Sequence, residues 1–300
     1  KRRNVLYLSF ITITTCLLSA LLAPYLIRPV ILSFLCLLIP VSELVIQLTN
    51  KIILKFFPPH PLAKIDFKDK IKDEYRTMIV IVTILKDKKK VQKMFRELEA
   101  HYLLSPKENV FFTLLGDATS YKEEHYPLDQ EIIEEGLKCC ETLNKKYKGE
   151  IFHFVYRKRK YSKGEETYLG WERKRGALQD LNQLILGQLT KEEQEDYFQA
   201  NTIKEDLKIK YVMPLDADTK LGLGSISRLI GTMAHPMNQP VLNKERTKVI
   251  RGYGMMQPKV TFDLSLENQS TYSQTFAGLG GYDVYSSVVP DFYQDVFQES

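Results

Sequence analysis

Two carboxylates one residue apart, Asp216 and Asp218, close the stretch 210–219, which reads KYVMPLDADT. Carboxylate oxygens are hard donors, and Mg²⁺ typically takes one or two of them together with substrate phosphate oxygens. The pair is therefore a candidate site for a divalent ion and a diphosphate. The same residues also make an ordinary polar turn at a strand end, so the rest of the chain has to separate the two readings. A third acid, Asp117, follows the apolar run 110–115. Lys174 and Arg175 stand at the start of a helical pattern that continues through Leu181, Leu184 and Ile185. Cations in a first helical turn oppose the helix dipole unless an anion lies close by, and a diphosphate at a helix N-terminus supplies one. An acid for a nucleoside, cations for a diphosphate and acids for a metal are the parts of a nucleotide-sugar site.

These residues need a scaffold that brings them to one edge. Residues 78–85, MIVIVTIL, are apolar and β-branched, as in a central parallel strand buried on both faces, with Thr83 near its carboxyl end. Val91, Met94, Phe95, Leu98 and Tyr102 then repeat at helical spacing. A strand at 110–115, a helix at about 129–147 and a strand at 151–156 follow. This alternation predicts an α/β fold with a doubly wound parallel sheet, and Tyr211, Val212, Met213 and Leu215 add a further buried strand. In such sheets ligands bind at the carboxyl ends of the strands. The run 157–160, RKRK, is either a solvated loop or an attractor of polyanions or anionic lipid. Residues 191–206 read as an exposed polar excursion and 221–233 as a helix that ends at His235-Pro236, with His235 in a capping or packing role. Residues 249–260 read as a strand with glycines, and 290–300 as a helix start. No GxxxxGK[ST] loop is present, which argues against a P-loop nucleotidase, and no GxGxxG follows the first strand, which argues against a dinucleotide dehydrogenase.

The scaffold is preceded by something different in kind. Residues 5–23 and 30–49 are apolar runs of the length, about 20 residues, that spans a bilayer core. They predict two transmembrane helices joined by a tight turn, with Glu43 inside the second, either near a helix end or packed against further helices. A signal peptide is disfavoured, because the second run follows the first at once. Lys1, Arg2 and Arg3, with Lys51 and Lys55, place both ends in the cytoplasm by the positive-inside rule. The expected organisation is a hairpin over 1–57, a linker over 58–77 opening with prolines, and a cytoplasmic domain over 78–300. The net charge of +5 is mild and unclustered, so no nucleic acid partner is expected. The four cysteines, Cys16, Cys36, Cys139 and Cys140, have no zinc or disulfide spacing. A chain that starts with Lys and lacks a closing element is expected to be a piece of a longer protein.

The order strand, Asp, K-x-G-x-L, D-x-D resembles the processive glycosyltransferases of GT-A type, the relatives of cellulose and chitin synthases. The longer strings GWERKRGALQDLN, LDADT, LIGTMAHPMN, GYGMMQPKV and DFYQDVFQES together resemble the cyclic β-1,2-glucan synthases, over a match from about residue 40 to the end. The resemblance implies a GT-A type, Rossmann-like, mostly parallel sheet with flanking helices behind the membrane hairpin. It implies glucosyl transfer from UDP-glucose to a growing glucan, assisted by Mg²⁺ or Mn²⁺, in a multi-pass protein of the inner (cytoplasmic) membrane that also contacts membrane lipid. Thr83, Asp117, Lys174, Arg175 and Asp216 are then nucleotide-sugar-binding, Asp216 and Asp218 metal-binding, and Gln257 lies on the acceptor side. Gln179 stands where the relatives' K-x-G-x-L-N pattern has Asn, and no role is carried to it. Nothing in 260–300 matches the relatives' catalytic base, which is expected in missing C-terminal domains beyond Ser300.

Other readings use the same residues. Another processive synthase would share the chemistry and differ in sugar and linkage; the GWERKRG and GTMAHP strings speak against it. A non-catalytic nucleotide-sugar-binding membrane scaffold would keep the fold without the base. A polybasic membrane-surface module, resting on 157–160 and 173–175, leaves the strand-end aspartates unexplained.

Overall fold

A computed structural model describes residues 2–26, 28–56, 62–68 and 70–258. The prolines that open the expected 58–77 linker, Pro58, Pro59 and Pro61, and every reading from residue 259 onward lie outside the described residues. The chain divides into two units, one holding residues 1–62 and the stretch from 255 on, the other residues 63–254.

The first unit carries helices α1 (Arg2–Leu22) and α2 (Val30–Phe56), each containing a segment long and apolar enough to cross a membrane. Tyr7, Ile11, Thr15 and Ser19, four residues apart, form the stripe of α1 buried in the unit, and Tyr7 and Ile11 cluster with Val41 and Val45 of α2. The Tyr7 hydroxyl donates to Asn50 Oδ1 at 2.7 Å, a buried polar contact between the helices. Glu43 does not sit near a helix end. It lies in the middle of α2, exposed, and accepts a hydrogen bond from Gln47 one turn on.

The second unit is an α/β domain. Its strands are β1 (Thr77–Leu85), β2 (Val110–Ala118), β3 (Phe152–Arg157), β4 (Lys160–Ser162), β5 (Thr167–Leu169), β6 (Phe198–Asn201), β7 (Tyr211–Leu215), β8 (Val241–Leu242) and β9 (Val249–Arg251). Its helices are α3 (Lys88–Leu104), α4 (Asp129–Tyr147), α5 (Arg173–Ile185), α6 (Lys191–Tyr197) and α7 (Ser225–Ala234). The main sheet runs β6-β3-β2-β1-β7, parallel except for β6, which pairs antiparallel with β3. The chain winds outward from β1 through β2 to β3, then returns to place β7 on the other side of β1. That reversal makes the β1/β7 junction a topological switch point, where the ends of such strands leave a crevice for ligands.

Alternation along the strands explains the layers. Ile79, Ile81 and Leu85 of β1 join Phe112, Leu114, Phe152, Phe154 and Tyr156 under α3, α4 and α7. Met78, Val80 and Val82 join Leu115 and Val155 under α5. Burial on both faces is what a continuous β-branched run requires. Two expectations change. Residues 191–197 are largely exposed as expected but form α6, and the stretch turns inward at β6, where Phe198 is buried against the α5 layer. β7 is not a fully buried strand. Among the described residues it is a sheet edge whose residues other than Leu215 are half-buried or exposed. Pro214 suits that edge, since it has no N–H for a further neighbour.

The aromatic core of this unit includes Phe154. Phe154 is fully buried and packs near Phe95 and Tyr156. Phe154→Ala should cost about 3–5 kcal/mol, whereas Val241→Ala, at an exposed position, should stay within about 0.5 kcal/mol. Urea denaturation of the two variants checks both.

Candidate functional site

The site lies at the carboxyl edge of the sheet, where β2, β3 and β7 end and α5 begins. Asp117 is the penultimate residue of β2 and is 2% exposed. It accepts a hydrogen bond from Arg157 Nη1 at 2.9 Å and lies 3.5 Å from Arg173 Nη1. Gly170 is pressed onto the same carboxylate; a Cβ there would stand 1.9 Å from Asp117 Oδ1. Asp117 is thus a buried ion-pair partner, and it faces the ligand edge through Arg173. The Arg173 guanidinium, 37% exposed, also reaches the Ala118 carbonyl and the Ser120 hydroxyl.

The start of α5 follows. Its first turn has no acid and no side-chain cap, and it carries Arg173, Lys174 and Arg175. Gly176 belongs to this construction, since a Cβ there would meet the Trp171 carbonyl oxygen at 2.0 Å. Lys174 Nζ forms an ion pair with Asp216 Oδ1 at the end of β7, so the fold brings together a cation and an acid that the sequence assigned to one site. Both side chains are exposed, at 46% and 64%, and such pairs contribute roughly 0–1 kcal/mol. Asp218 is exposed in the turn closed by the Thr219 N–H and the Asp216 carbonyl. Lys174 and Arg175 also line an open cleft of about 760 Å³ that continues along α5 past Leu178 and Gln179.

Not every candidate converges. Arg175 pairs with Glu172 at 2.6 Å and is 78% exposed. Thr83 alternates with Ile81 and Leu85 toward the α3 side of the sheet, whereas Asp117 lies on the α5 side with Arg157 and Asp180. Gln257 is exposed in the stretch after the α/β unit. His235 acts as a cap, its Nδ1 accepting from the Met237 N–H. Among the described residues no group of three or more His, Cys, Asp or Glu side chains is arranged to hold a metal. The donor set at the strand end is Asp216 and Asp218. Two carboxylates fit a cation that takes most of its oxygens from a bound diphosphate; they do not make a cage for a resident ion.

The run 157–160 holds the site's least legible residues. Arg157 and Arg159 are not solvated. Their side chains are 3% and 0% exposed. Arg157, the last residue of β3, meets Asp117 and Asp180 on the α5 side, whereas Arg159, just past the strand, meets Asp129 at the start of α4, beside Tyr156. Burial pushes the Asp180 carboxyl up, against the opposing pull of Arg157. Burial also acts to raise Asp129, but hydrogen bonds from Arg159 and Tyr156 outweigh it and hold that carboxyl below its ordinary value. No motif announces such pairs. The one available signal is Arg157, which continues the alternation of the strand before it.

No family model matches the chain. Over 266 residues it is 34% identical to the cyclic beta-(1,2)-glucan synthase NdvB of Rhizobium meliloti strain 1021, a match covering 87% of this chain and 9% of that protein. The chain therefore spans less than a tenth of its relative's length. The relationship is distant homology at family level, and with the two apolar helices it makes this a membrane-associated protein related to glycan synthases.

The Asp129 pair carries a pH dependence of known sign. A carboxyl lowered in the folded state adds stability above its unfolded value, about 3.9, and loses that stability as pH falls through the folded one. Asp129→Asn should cost about 3–5 kcal/mol at pH 7 by leaving Arg159 buried without its partner. The difference from the parent chain should shrink as pH falls below about 4, which thermal melts across pH 3–7 will show.

Proposed function

We propose that this chain is the donor-binding part of a membrane-bound glucosyltransferase that uses UDP-glucose to extend a β-1,2-glucan. The observation that carries the reading is the Lys174–Asp216 pair at the carboxyl edge beside the switch point, in a chain homologous to a cyclic glucan synthase. In this reading the fold is of GT-A type. Residues 1–57 are the transmembrane hairpin, 58–77 the linker, and 78–300 the cytoplasmic transferase domain without its C-terminal part.

The residues then have distinct tasks. Lys174 exchanges Asp216 for the diphosphate, and the uncapped N–H groups that open α5 face the same anion. Arg173, held by Asp117, adds positive charge where the leaving diphosphate gains negative charge. Asp117 thereby serves the nucleoside side from below rather than as a free acceptor. Thr83 and Arg175 complete the donor contacts only with a change of side-chain direction. A Mg²⁺ or Mn²⁺ ion held by Asp216, Asp218 and the phosphates would stabilise the departing diphosphate as a Lewis acid. The acceptor hydroxyl, on the side assigned to Gln257, attacks the anomeric carbon as the bond to the diphosphate breaks, inverting that centre. Its proton passes to a base supplied by sequence beyond Ser300.

Calorimetric titration of UDP and UDP-glucose into the detergent-solubilised chain, with and without Mg²⁺ or Mn²⁺, tests this. Metal-dependent binding is expected, weakened at least tenfold, about 1.4 kcal/mol, in Asp218→Ala and in Lys174→Ala. Failure of the folded chain to bind either nucleotide would overturn the donor site. Binding without turnover by the longer parent protein would favour the scaffold reading.

A further inference from the structure

Arg157 ties together the strand end, the body of α5 and the turn that opens it. Its Nε donates to Asp180 Oδ2 at 2.8 Å, and Nη2 lies 2.7 Å from the same oxygen. Nη1 donates to Asp117 Oδ1 at 2.9 Å and to the Arg173 carbonyl at 3.3 Å, and Nη2 also donates to the Trp171 carbonyl at 3.1 Å. The guanidinium therefore joins β2, β3 and the body of α5 to the turn that opens the helix. That turn is strained. Glu172 and Arg173 are consecutive non-glycine residues with φ of 47° and 49°. Left-handed backbone at such residues is costly and persists only when the surroundings impose it. The carbonyls on either side of Glu172, those of Trp171 and Arg173, are the two that Arg157 grips.

We propose that Arg157 is the positioning residue of the donor site: it holds the 170–173 turn in its left-handed conformation and thereby sets where Arg173 and Lys174 are presented. It makes no contact with the ligand, because its donors are already spent on protein acceptors. Lysine cannot replace it, since one ammonium lacks the planar fork that serves two carboxylates and two carbonyls together. The effect on ligand affinity rests on the donor-site reading above; the effect on the turn does not.

Arg159 supplies the control. It is equally buried and paired, but it grips Asp129 and the Thr119 and Glu124 carbonyls, not the 170–173 turn. Trp171, the chain's one tryptophan and 45% exposed, reports on the turn directly. Arg157→Lys and Arg159→Lys should both lower the melting temperature. Only Arg157→Lys should speed amide exchange at residues 170–175 at least tenfold, shift the Trp171 emission and weaken UDP binding at least tenfold. Asp180→Asn, which keeps the shape and removes one charge from the clamp, should produce the same local changes at smaller size, and it stands in if Arg157→Lys does not fold. Equal changes at 170–175 in the Arg157 and Arg159 variants, or none in either, would overturn the proposal. Faster exchange at the turn in a chain that binds no UDP would sustain the positioning role and sink the donor-site reading instead.

Discussion

A buried guanidinium is among the most expensive groups a fold can carry, and this α/β unit places one, Arg157, at the carboxyl edge of its sheet. Taking the charge out of water costs several kcal/mol that Coulomb attraction returns only when geometry is good and every donor is used. Arginine has five N–H donors. Here they meet Asp117, Asp180 and the carbonyls of Trp171 and Arg173. The arrangement forces three chain segments, far apart in sequence, into one register. Gly170 and Gly176 follow from it, because a side chain at either would collide with the Asp117 carboxylate or the Trp171 carbonyl.

The sheet determines where this clamp can sit. β1, β2 and β3 lie in winding order and end at one edge, and β7 returns to the opposite flank of β1. Asp117, Arg157 and Asp216 thus arrive at strand ends from different strands. α5 crosses the face between them, so that its N-terminus reaches Asp216 through Lys174. The hairpin unit solves a separate problem. Its buried stripe on α1 includes a polar contact, Tyr7 with Asn50, and many apolar side chains of both helices face outward.

Much of this was legible in the sequence. The β-branched run of β1, the period of α3 and α4 and the abrupt acidic end of β7 are local signals, each carried by neighbours within a few residues. Putting strand ends and a helix start on one edge places Lys174 and Asp216 at the same edge; their direct ion pair is not a sequence signal. What could not be read is non-local. Arg157 and Arg159 sit in a run of four cations that looks solvated, and only partners 23 to 40 positions away make them interior. β6 is short and flanked by charge, and it becomes a strand because β3 offers it an edge. Thr83 lies near a strand end, as the apolar run suggests, but the two-residue period puts it on the face opposite Asp117.

The contrast between buried and exposed pairs bears on what the edge can bind. Arg157 with its carboxylates fixes geometry and has no donor to spare. Lys174 with Asp216 is exposed and weak, so either partner can leave it at small cost. A free diphosphate would recruit Lys174 but leave Asp216 beside added negative charge. A divalent ion alone would recruit Asp216 and Asp218 and leave Lys174 beside added positive charge. A ligand that brings phosphate oxygens and their cation together exchanges one ion pair for two without stranding a charge. Such a ligand would need no third protein carboxylate, in keeping with a strand end that offers two and with a helix start where Arg173 alone is held from beneath, by Asp117.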